Sequence, residues 1–98
     1  MIYRNKKLLA LANEAPHCMN CGTYNAGQVV ACHSNQQRDG KGTGIKASDA
    51  AIAFLCGQCH FQVDGGTMLS RSQRVDLWES AHRKTMRWLI ENERLVVA

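Results

Sequence analysis

Two C-x-x-C turns, Cys18-Met19-Asn20-Cys21 and Cys56-Gly57-Gln58-Cys59, constrain this 98-residue chain more than any other feature. Each turn brings two sulfurs close enough to share one tetrahedral ion, and four thiolates complete a closed structural site. A chain of this length buries only roughly 60–70% of the surface that its unfolded form exposes, and aromatic residues make up just 6% of it. The apolar core is therefore thin. Structural zinc contributes roughly 10–16 kcal/mol of apparent binding energy to folding, enough to offset that deficit. The spacing predicts zinc at Cys18, Cys21, Cys56 and Cys59, with iron second because sulfur-only tetrahedral sites accept both. Two accidental pairs of buried thiols are the plain alternative.

Thiols bind metal only where they stay reduced. Arg4-Asn5-Lys6-Lys7 is followed by just Leu8-Leu9-Ala10-Leu11-Ala12 before Asn13 and Glu14, short of the apolar run of about 7–15 residues in a secretory leader. No stretch approaches the roughly 20 apolar residues of a membrane helix. The expectation is a cytoplasmic protein with no membrane span and with reduced cysteines. Cys56-Gly57-Gln58-Cys59-His60 also has the form of a c-type haem attachment, but that modification needs export and two free thiols. A thioredoxin-like redox role needs a single C-x-x-C within a parallel α/β pattern, which this sequence lacks. Cys32 is left over and reads as a small buried thiol in an apolar strand.

Along the chain no linker, repeat or low-complexity tract divides residues 1–98, so one domain is expected. Residues 4–14 are good helix formers, stopped by Pro16. Gly27 to His33 reads as a strand, residues 34–48 as a polar, glycine-rich loop, and Ala50 to Leu55 as a second strand. Ser70-Arg71-Ser72-Gln73 has capping-box form and opens a helix expected over about 71–92. Val75, Trp78, Ala81, Thr85 and Trp88/Leu89 make its apolar stripe, with Arg74, Arg83, Lys84 and Arg87 outside. Leu95-Val96-Val97 is a candidate terminal strand. The class is a small zinc-braced α+β domain: a hairpin with a long connection, then a long C-terminal helix.

The formal charge is +4, and residues 1–46 carry six Lys/Arg against two acids. Such a balance suits a nucleic acid backbone and serves solubility equally well. Of four histidines, His17 and His82 read as solvated or hydrogen-bonded side chains. His33, closing the first strand, and His60, following a zinc cysteine, sit where both can face one cleft, one taking a proton and one holding a metal.

A C-x-x-C, a strand ending in His, a long loop, a second strand and a C-x-x-C-H opening a helix resemble the zinc-braced form of the HNH, or ββα-metal, nucleases, a treble-clef-related arrangement. More closely, Ala31-Cys32-His33-Ser34-Asn35, the segment Gly40 to Asp49, and Cys56 to Asp64 are similar to the phage and prophage YbcO-like family of HNH-type nucleases. The resemblance runs from about Cys18 to the end of the chain and includes the helix around Trp78, Thr85 and Trp88.

The resemblance implies a metal-dependent endonuclease acting on DNA. Carried over, the catalytic set is His33, Asp49 and His60: His33 is the general base that activates water, and Asp49 stands at the middle position that supports the loop and orients the base. His60 binds a catalytic divalent ion, Mg²⁺ or Mn²⁺, beside the scissile phosphate. Cys32 stands where HNH enzymes often carry Asp or His as a second metal ligand, and Asp64 is held in reserve. Arg38, Lys41 and Lys46 supply positive surface, and Gly40-Lys41-Gly42-Thr43-Gly44 either approaches phosphate through its amides or is simply a flexible connection. The alternative is a non-catalytic zinc-braced module that binds nucleic acid or protein.

Overall fold

In the computed structural model, which describes residues 2–96, the first expected strand forms as β1, Val29–His33, and the second as β2, Ile52–Cys56. They pair antiparallel, Val29 opposite Cys56 and His33 opposite Ile52, in a two-stranded sheet. Every residue of β2 is buried, whereas β1 is buried only at Val29 and Cys32 and leaves Val30 exposed. The helices are α1 (Lys6–Ala10), α2 (Gly57–Asp64) and α3 (Arg71–Glu91), giving a small α+β chain with a long C-terminal helix. None of them is long and apolar enough to cross a membrane, among the described residues.

The free side of β2 is covered by other parts of the chain. Thr85 Oγ1 on α3 accepts from Phe54 N–H at 2.9 Å and donates to Ala81 O at 2.8 Å. His82 Nδ1 lies 2.6 Å from Ile52 O, and Met19 N–H donates to Phe54 O at 2.9 Å. Unpaired strand groups that leave water need such partners. On the same helix Trp78 is buried, stacks on His82 with ring centroids 4.7 Å apart, and donates from Nε1 to Cys32 O at 3.0 Å. Trp88 packs edge-on against Phe54.

Helix α3 begins at the expected cap: Ser70 Oγ accepts from Gln73 N–H and Gln73 Oε1 from Ser70 N–H. Trp78, Ala81, Thr85 and Leu89 form its buried stripe, with Val75 and Trp88 half-buried beside it. Three expectations are corrected. Helix α1 covers only part of residues 4–14: Leu11–Glu14 tighten into a 3₁₀ turn, because Pro16 holds Ala15 extended at ψ 138°. Arg74 does not sit mainly outside; it turns back to Gly66 O and is half-buried. Leu95 and Val96 form no strand, since the backbone reverses at Glu93 (φ 57°) and the Arg94 and Leu95 amides bond to Leu89 O. Val97 lies outside the described residues.

Candidate functional site

The first knuckle is a tight turn in which Gly22 N–H bonds to Cys18 O and Cys18 N–H to Thr23 O. Gly22 takes φ 79°, a left-handed conformation that needs glycine. The second knuckle straddles an element boundary: Cys56 ends β2 and caps α2, and Cys59 lies in the first turn of that helix. The four sulfurs of Cys18, Cys21, Cys56 and Cys59 all lie within 4.8 Å of one another. Amide donors point at them, with Asn20 N–H 3.4 Å from Cys18 Sγ and Asn20 Nδ2 3.4 Å from Cys59 Sγ. Thr23, bonding through its side chain and its backbone, holds the exposed Cys21 thiol down at about 6, whereas burial pushes Cys59 up to about 12. Four converging thiols form a donor set compatible with a structural metal ion such as zinc.

Cys32, His60 and Asp64 bring a second trio of ligand atoms within 4.8 Å of one another. His60 and Asp64 stand one turn apart on α2, with Nε2 2.8 Å from Oδ2. Asn35 Nδ2 donates to the other carboxylate oxygen of Asp64 at 2.8 Å. Cys32 is fully buried, and that burial, with the nearby Asp64 charge, raises its thiol to about 12.

His33 is the neighbour of Cys32 on β1, and its Nε2 lies 2.7 Å from Asp49 Oδ1. The carboxylate of Asp49 is buried and collects further donors: Asn5 N–H at 2.7 Å and Arg4 Nη1 at 3.2 Å. Burial alone would push this carboxyl up; the hydrogen bonds from His33 and Asn5, together with the charges of His33 and Arg4, outweigh it and hold it below the ordinary aspartate range. Arg4 also bonds to Ala47 O and Lys46 O, tying the end of the long loop to the N-terminal segment. Within that loop Ser34 Oγ donates to Asp39 Oδ2 at 2.6 Å, and Gly40 turns at φ 94°.

His33, His60 and Asp64 line one cleft of about 480 Å³, together with Asn35, Lys41 and Lys46. A larger cleft of about 970 Å³ shares Asn35, Lys41 and Asp64 with it. Its rim carries Arg38, Lys41, Arg71 and Arg74, and Val63, Val75 and Trp78 stand among its walls. Arg38 is ion-paired with Glu79.

Of the three residues expected at the reaction centre, His33 and His60 line one cleft, and Asp49 contacts His33 without lining that cleft. Sequence reading missed Cys32 as a member of the His60 cluster, and it missed Arg4, Asn5 and Asn35 as supports. The i, i+4 spacing of His60 and Asp64 on a helix is the signal that could have promoted Asp64 from reserve. Arg4 and Asn5 lie more than forty residues from Asp49, and no local spacing marks such a contact. The chain matches no protein-family model, no curated protein and no solved structure.

Proposed function

We propose that this chain is a metal-dependent endonuclease of the HNH type that hydrolyses DNA phosphodiesters, and, on the resemblance to the YbcO-like family, that it is phage- or prophage-associated. One observation carries the reading: a histidine held by a buried carboxylate opens on the same cleft as a second histidine from the helix after the sheet. The order of β1, β2 and α2, braced by the four-cysteine cluster, is that expected of a ββα-metal unit. Zinc is the ion that best suits the four thiols.

Asp49 fixes the tautomer of His33: its carboxylate accepts the proton on Nε2, which leaves the Nδ1 lone pair as the base. His33 takes the proton of the attacking water as oxygen bonds to phosphorus, and the bond from phosphorus to the leaving oxygen breaks. His60 would hold a divalent ion, which would supply positive charge to offset that developing on the phosphate and the leaving group. Lys41 and Lys46 at the cleft, and Arg71 on the adjoining rim, attract the polynucleotide backbone.

A non-cleaving zinc-braced module for nucleic acid or protein is the second reading, favoured by Cys32, a buried thiol where HNH enzymes often carry an acid or histidine. Plasmid nicking by purified protein in Mg²⁺, Mn²⁺ and Zn²⁺ separates the two. Nicking that is lost in His33→Ala supports the endonuclease; binding without nicking under every metal supports the module.

A further inference from the structure

We infer that Cys32, His60 and Asp64 form a second metal site, separate from the four-cysteine cluster, that takes a thiophilic transition ion such as Zn²⁺ or Co²⁺ in preference to Mg²⁺. The inference deepens the proposed hydrolysis, because it names the class of ion at that cleft. A sulfur, an imidazole nitrogen and a carboxylate oxygen, from a strand and a helix, converge within 4.8 Å. Mg²⁺ requires near-octahedral oxygen coordination and dehydrates reluctantly, whereas a thiolate with an imidazole suits zinc and its neighbours.

The surroundings favour a site held in advance. Trp78 Nε1 bonds to Cys32 O at 3.0 Å and fixes the strand where the sulfur projects. Asn35 holds the Asp64 oxygen that His60 does not touch, leaving Oδ2 beside the imidazole. Such outer contacts orient ligands and tune affinity. The sulfur is buried, while the His60 and Asp64 side chains are 35% and 46% exposed and border the cleft. Three protein ligands on one side and open space on the other is the form of a reactive zinc site, in contrast to the closed four-sulfur cluster. Binding sends the Cys32 thiol proton to water as sulfur bonds to the ion.

Metal analysis of the native protein tests this. The expected content is about two zinc ions per chain, falling to about one in Cys32→Ser and in His60→Ala. If Cys32→Ser fails to fold, Asp64→Asn replaces it, since that side chain is half exposed and the substitution is nearly isosteric. Co²⁺ titrated into protein from which mild chelation has removed one of the two zinc ions should give a sulfur-to-cobalt absorption band that Cys32→Ser abolishes and that millimolar Mg²⁺ does not displace. About one ion per chain in wild type, unchanged by these substitutions, overturns the site. Two ions bound with no phosphodiester cleavage upholds the site and removes the endonuclease; Mg²⁺-supported cleavage by Cys32→Ser at the wild-type rate upholds the endonuclease and removes the site.

Discussion

His33 and Asp49 divide one task between two environments. The imidazole borders the cleft, while the carboxylate lies buried behind it with donors from His33, Asn5 and Arg4. His33→Ala should abolish nicking yet leave DNA affinity within about twofold, because backbone affinity comes from cationic contacts that this change spares; paired nicking and anisotropy assays check both halves. The sign of the Asp49 effect follows from its depressed pKa. The folded value lies below the ~3.9 of an unfolded aspartate, so its stabilisation is complete above about pH 4 and is lost as pH falls through the folded value. Asp49→Asn should therefore destabilise most at neutral pH, and its gap from wild type should close in denaturant titrations below about pH 4. Of these residues, His33 and His60 were legible because each adjoins a recognisable element end. The role of Cys32 was not: strand alternation turns it away from His33, and only the fold shows that this opposite face meets α2.

Helix α3 was the most legible element, since a capping box, three-and-four spacing and two tryptophans all point to one register. What periodicity could not reveal is that polar members of the stripe complete the sheet. Thr85 is fully buried and supplies the acceptor that Phe54 N–H would otherwise lack. Thr85→Val keeps the volume and removes that acceptor, so it should cost about 1–3 kcal/mol, the penalty for an unpaired buried donor. Trp78→Ala should cost more, about 3–5 kcal/mol, through the cavity it leaves, and it also frees Cys32 O. Urea unfolding of the zinc-loaded proteins measures both. Equal stability of Trp78→Ala and wild type would contradict the packing. The end of the first helix was less legible because propensity favours residues 4–14 throughout, while the constraint that tightens Leu11–Glu14 comes from beyond them, at Ala15 and Pro16.

Over the whole molecule, the four-cysteine cluster joins what the sequence separates. Cys18 and Cys21 precede the sheet, Cys56 ends its second strand and Cys59 lies just beyond, so an ion there would close a loop containing both strands and their long connection. The radius of gyration is 12.8 Å, the size expected for about 100 compact residues, yet the core is built around one buried strand and one face of α3. A core of that size has little stability to spare, so removal of the structural ion should unfold the chain cooperatively rather than loosen one knuckle. Chelation should first strip the weaker site that opens on the cleft, leaving tryptophan fluorescence and near-ultraviolet dichroism unchanged, because Trp78 is held by the sheet rather than by that ion. Only stronger chelation, reaching the four thiols, should abolish both signals together. Loss of tertiary signal at the first stage would mean that the cleft ligands also hold the fold, and persistence of native dichroism after all metal has left would show that the sheet and α3 suffice without the zinc brace.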